Sequence, residues 1–362
     1  MKPTLTTRLV ATFKAIAMLF IVGLLGTQFS EAATYYVARY GSESNTCAQA
    51  QSIGTPLARI GVGVQCLSPG DTLMVREGVY SEMIGSFMYI PSGTRDNPIT
   101  IMSYPGEKVT MEAPPWAEHL VLLELYGPQF ITFKGFTFDA KNIAGRTVAL
   151  EWPTSNIRLE NNEIKNALDN GLFISGTSNE IVRNNIYSNG FYLNPLMPPY
   201  GYGIYLVGAS NMIDGNDIHN NAVFGLVGYS PQDTLNNNII QNNLVHDNEQ
   251  MAWSAGILMG GGNNLISSNT IWNERGDGIA IAYTNPRNIT IYRNTIYHSW
   301  SSAIVIEFGS NIQQIDNIIY DPSSGVVAPP SSVVVTPPSS VVVTPPSSVV
   351  VTPPIVAPPR VH

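Results

Sequence analysis

Between Asn156 and Asp321 the apolar residues fall in short period-2 runs such as Ile289-Thr290-Ile291 and Ile304-Val305-Ile306. These runs are too short and too β-branched for helix and read as strands. Two anchors punctuate them. The first is Asn-x-(Ile/Leu), at Asn162, Asn184, Asn216, Asn242, Asn269, Asn294 and Asn317. The second is Gly followed by alternating apolar residues, at Gly171, Gly203, Gly225, Gly256 and Gly278, with Ala303 in the same role. The bare repeat is 22 residues, 9 from Asn to Gly and 13 from Gly to the next Asn. A period in the twenties marks a solenoid. Strands that repeat in register stack about 4.8 Å apart. A stacked Asn can then bond its counterpart in the next coil, which satisfies a buried amide, and Asn tolerates the left-handed backbone of tight corners. The pattern predicts an all-β parallel solenoid of about ten coils as a single domain.

The order Ile-x-Ile-x-x-Asn-x-Ile followed by Gly-Ile-x-Ile resembles the right-handed parallel β-helix of the pectin-lyase-like superfamily, over Thr34 to Asp321. Tyr35-Tyr36-Val37 and Pro69-Gly70-Asp71-Thr72-Leu73 resemble the opening of secreted β-helix polysaccharide enzymes. The resemblance implies a secreted protein acting on polysaccharide, lyase- or epimerase-like. The W-x-D-H and R-x-P-x-x-R stretches of pectate lyases are missing, as are the N-T-D, D-D and G-H-G stretches of polygalacturonases. The outward position where related lyases carry a basic residue reads Ser175, Val207, Tyr229, Gly260, Ala282 and Glu307. A non-catalytic glycan-binding or structural β-helix is therefore the alternative.

Four regions are expected. Residues 1–33 read as a signal peptide, with Lys2, Arg8 and Lys14 ahead of the apolar run Ile16 to Leu25 and small residues at Ser30, Ala32 and Ala33. Residues 34–82 form an N-terminal cap with the first strands and a short helix over Leu57 to Leu67. Residues 83–322 form the β-helix. Residues 323–362 repeat Pro-Pro-Ser-Ser-Val-Val-Val-Thr, a disordered, extended stalk. Export makes a disulfide between the only cysteines, Cys47 and Cys66, the natural reading, with two free thiols as the alternative.

Of 18 Lys+Arg and 26 Asp+Glu, the first 33 residues hold three and one, so the remainder carries a net charge of −10. That excludes nucleic acid as a partner. It also means a polyanionic glycan would need bound calcium or a local basic patch. Once the signal is cleaved no membrane span remains. The protein is expected as a monomer outside the cytoplasm (periplasmic, extracellular or at the cell surface).

Two Asn-to-Gly turns are enlarged, Ile186 to Tyr202 by ten residues and Leu244 to Ala255 by five, on either side of the minimal turn Asp217 to Phe224. Both should leave one corner and wall a groove. The walls offer Tyr192, Tyr200 and Tyr202 on one side and Glu249 and Trp253 on the other. The floor offers His219, Asn220 and Asn221, and the next turn adds Glu274, Arg275 and Asp277. His219 is the natural proton carrier, Tyr202 an alternative base, and Arg275 the cation for a sugar carboxylate. The outward column Lys165, Tyr187, His219, Val245, Trp272, Tyr297 and Tyr320 suits stacking on sugar rings or is simply good β-sheet surface. His246 and His298 fall one place later, in a turn column. Asp247, Glu249 and Glu274 could bind calcium through oxygen.

Overall fold

The computed structural model describes residues 32–85, 88–190, 201–248, 254–297 and 299–320. Residues 1–31 of the segment expected as a signal peptide, and the whole of the expected tail 323–362, lie outside them. The described chain winds through three parallel sheets of 11, 10 and 8 strands, which bracket the ten coils expected. Each strand pairs only with its equivalents one coil before and after. The winding begins at once, because Thr34–Val37 pairs in register with Thr72–Val75. The one α-helix among the described residues is Ile60–Gln65, shorter than expected, followed by Cys66, which is disulfide-bonded to Cys47. No helix among the described residues is long and apolar enough to cross a membrane.

Register makes the core. On the second sheet Ile164, Ile186, Ile218, Val245, Ile271 and Ile296 stack one above another, all buried. Full burial of one such side chain stabilises by about 1.5–3 kcal/mol. Neighbouring residues on each strand face out.

The corners share one device, used three times per coil. A left-handed residue is followed by an inward polar side chain that bonds the next coil. Before the second sheet the left-handed position holds Gly135, Asn161, Arg183, Gly215, Asn242, Ser268, Arg293 and Asp316. The ladder behind it runs Asn162, Asn184, Asn216, Asn243, Asn269, Asn294 and Asn317, amide to amide at 2.9–3.0 Å. Phe136 heads this ladder, donating its N–H to Asn162 Oδ1 at 3.0 Å. The left-handed residue is thus the one before the ladder Asn. A non-glycine residue there costs roughly 1–2 kcal/mol, offset by the satisfied amides. A second ladder, Asn189, Asn221, Asn248 and Glu274, follows the second sheet, and a third, Asn179, Asn211, Asn238 and Asn264, precedes the first.

One register differs from the sequence reading. In Asn242-Asn243-Leu244 the ladder residue is Asn243, so Val245 is buried and His246 takes the outward place assigned to Val245. The second enlarged turn is accordingly one residue smaller.

Candidate functional site

Both enlarged turns do leave the same corner. One joins Asn185–Tyr187 to Tyr202–Leu206, the other joins Leu244–His246 to Ala255–Met259, and the minimal turn from Asp217–His219 to Phe224–Gly228 lies between them. All three carry the chain from the second sheet to the third. Tyr192, Tyr200, Glu249, Trp253 and His298 lie outside the described residues.

The Gly anchor has its cause here. The second Asn ladder presses against the first residues of the third sheet. A Cβ on Gly203 would lie 2.7 Å from Asn221 Nδ2, and one on Gly225 would lie 2.9 Å from Asn248 Nδ2. Only glycine leaves room for the amides.

On the second-sheet side of the corner the outward side chains form a spine. Lys165 Nζ lies 3.2 Å from the Tyr187 hydroxyl. Tyr187 stacks on His219 at 5.1 Å, His219 on His246 at 4.9 Å, and His246 on Trp272 at 4.0 Å, with interplanar angles below 10°. The faces of Tyr187, His219 and His246 are therefore turned to one another, and only their edges face solvent. From Tyr187 to Trp272 the column is a mutual stack. His219 has Asn220 Oδ1 at 2.7 Å and Asn185 Oδ1 at 2.9 Å on its two nitrogens. His246 has Asp247 Oδ2 at 2.7 Å and Asp217 Oδ1 at 2.9 Å. Burial opposes its charge, but the two carboxylates outweigh it and hold the imidazole above its ordinary value.

The remaining expected residues divide. Asn221 and Glu274 are buried in the second ladder, and Asp247 bonds both His246 and Asn273. The inward side chains of Asn221 and Glu274 serve the corner, whereas Asp247 stands at the left-handed position before the ladder and is partly exposed. Arg275 is exposed. Asp277 accepts the Ser302 N–H at 2.8 Å. Tyr202 belongs to the third-sheet side, edge-to-face with Tyr205 at 5.6 Å and Phe224 at 5.5 Å. His219 and Tyr202 thus stand on different sheets, either side of the corner.

The sequence reading missed a charged group on the outer face of the third sheet. Arg146 lies 3.3 Å from Glu151, 3.8 Å from Asp169 and 4.2 Å above the Phe173 ring, which packs on Tyr205 at 5.5 Å. Burial pushes Asp169 up to about 6 against the pull of Arg146. Burial also raises Glu151, with the charge of Glu124 adding and Arg146 opposing. Phe173 belongs to the outward column two residues past the Gly anchor, which continues Tyr205, Val227, Leu258, Ala280 and Val305, whereas Arg146 lies outside that column, because Phe173 pairs with Ala149.

The family model described as right handed beta helix region matches residues 191–333. No curated protein sequence matches the chain. Among solved structures it is similar to the pectate lyase Pel9A, with TM-score 0.62 and 18% identity over 81% of this chain and 78% of that one. It is also similar to an alginate lyase from Paenibacillus sp. (0.54, 17%, 72% and 96%) and to a rhamnogalacturonan lyase (0.57, 14%, 74% and 74%). Continuous parallel winding, in-register core stacks and these likenesses make the fold a right-handed parallel β-helix.

Proposed function

We propose that the protein is exported and acts on polysaccharide, lyase- or epimerase-like, in a groove at the corner where the two enlarged turns emerge. The observation that carries this reading is their shared corner in alternate coils, with one minimal turn between them. The fold is one on which pectate, alginate and rhamnogalacturonan lyases are built, and this supports the substrate class by analogy. In both reactions a base removes the proton α to a sugar carboxylate while a cation stabilises the developing charge. In elimination the electron pair forms the C4–C5 double bond and the C4–O bond breaks, its oxygen taking a proton. In epimerisation a proton returns to the opposite face. Tyr202 is the base this reading favours and exposed Arg275 the cation, with His219 and Asn220 on the second-sheet side of the corner.

A second reading, a non-catalytic glycan-binding β-helix, is favoured by the spine itself, because both nitrogens of His219 already have partners. Incubation of the exported chain with alginate, pectin, chondroitin and heparin, followed by ultraviolet absorbance of unsaturated product and NMR of the epimer ratio, separates the two. Turnover that falls about 10²–10⁴-fold in Tyr202→Phe supports catalysis there. Silence on all four, with retention on a glycan column, selects binding.

A further inference from the structure

The eight strands of the third sheet contain one Lys or Arg between them, Arg146. Arg275 lies in the turn that leads to the strand Asp277–Ile281, not on the sheet. An anion laid along these strands therefore meets a single cation.

That cation is loosely held. Among the described residues its guanidinium gives one hydrogen bond, from Nη1 to Glu151 Oε1 at 3.3 Å. Asp169 Oδ2 stands 3.8 Å from Nε, an ion contact too long for a hydrogen bond. The fork thus keeps donors to spare, and a carboxylate can take two parallel bonds from such a fork. The Phe173 ring at 4.2 Å holds its plane, and Tyr205 packs beyond Phe173. Arg146 is 26% exposed and Asp169 48%, so a ligand can reach both side chains.

We propose that Arg146 binds the carboxylate of a uronate residue and releases Asp169 to do so, the released carboxylate taking up a proton from solvent. The surrounding groups set the direction. Partial burial already carries Asp169 up to about 6, with Arg146 opposing. A uronate on the guanidinium offsets that opposition and adds a like charge, so the carboxyl rises further. Glu151 is raised by burial and by Glu124 of the preceding coil, and responds in the same sense. Tyr205, which shares a strand with Tyr202, is raised by burial, with Tyr229 and Asp169 adding and Arg146 opposing, so it stays a neutral phenol. The proposal rests on the reading of an acidic polysaccharide as substrate, not on where a bond is broken.

The test is calorimetric titration of the exported chain with hexagalacturonate, hexamannuronate and hexaguluronate between about pH 5 and 8, in buffers of different ionisation enthalpy that count protons. At least one is expected to bind with proton uptake. Its affinity should fall as pH rises through about 6, by up to about tenfold per pH unit for one proton. The methyl ester of that ligand should bind at least about tenfold more weakly at the acid end, and Arg146→Gln should weaken the acid as much while leaving the ester unchanged. Asp169→Asn, a neutral stand-in for the protonated group, should bind at the alkaline end as tightly as the native chain does at the acid end. The proposal is overturned if none of the three ligands binds, if ester and acid bind alike, or if affinity holds or rises with pH. It is overturned equally if Arg146→Gln changes no affinity or Asp169→Asn keeps the native pH slope. The acid and ester are compared on the native chain, so that arm decides even where a variant does not fold. Proton-coupled binding without unsaturated product sustains this proposal and removes the elimination; turnover with a silent Arg146→Gln does the reverse.

Discussion

His246 Nε2 lies 2.9 Å from Asp217 Oδ1 of the preceding coil, while Nδ1 of the same ring lies 2.7 Å from Asp247 Oδ2. The ring is pressed between His219 and Trp272, so it cannot turn away from either carboxylate. Burial opposes charge on the ring, and the pair of bonds favours it.

Stability should therefore depend on pH in one direction. The folded-state value of His246 is raised above the ordinary 6.5. Its contribution is fully present below the unfolded value and is lost as pH rises through the folded one. His246→Gln should cost about 1–3 kcal/mol at mildly acidic pH, and the gap from the native chain should close on the alkaline side. Melting curves of both proteins across that range measure it. A gap that widened with pH would exclude the charged ring.

The ladder assignment predicts unequal costs for adjacent asparagines. Asn243 Oδ1 accepts from the N–H and amide of Asn216, and its Nδ2 donates to Asn269 and to Ile213 O. Asn243→Ala orphans several buried groups and should cost about 3 kcal/mol or more. Asn242 sits at φ 55° with its amide on Asp214. Asn242→Gly suits that backbone and should change stability by less than about 1 kcal/mol. Urea titrations that ranked the two the other way would restore the earlier register.

That pair shows what the chain discloses and what it withholds. The winding, the period and the seven-rung ladder are written in spacing, because apolar alternation fixes each inward Ile. In Asn242-Asn243-Leu244 either Asn fits that single anchor. The second and third ladders stand five residues after and five before the first-ladder Asn, as Asn248 and Asn238 do about Asn243, and this offset, which one anchor alone does not use, selects Asn243. Arg146 lies in a coil that precedes the visible repeats, at the position just before the Gly anchor, whereas the outward position read for basic residues is four past it. The spine was legible as a column, but ring orientation is a property of packing.

The third-sheet glycines should reject even a methyl group. A Cβ on Gly225 would meet Gly256 O and Val245 Cγ1 at 2.7 Å. Gly225→Ala should destabilise by about 1–3 kcal/mol. Gly54→Ala, whose nearest contact is Ser52 Oγ at 3.6 Å, should be tolerated. Equal melting temperatures for the two variants would remove the packing argument.

Asp169 should titrate near 6, well above an ordinary aspartate. Replacing Arg146 with Gln removes the opposing charge and should move the midpoint higher still. Carboxyl-carbon NMR of the native chain and of Arg146→Gln reads both values. An ordinary midpoint in the native chain would show that water reaches the group freely.

The outer column of the third sheet changes character along the axis, from Glu124 through Phe173 and Tyr205 to Val227, Leu258, Ala280 and Val305. Its two ends are not interchangeable to anything that lies lengthwise upon it. A polymer with distinct termini laid along it would meet a different surface in each of its two orientations.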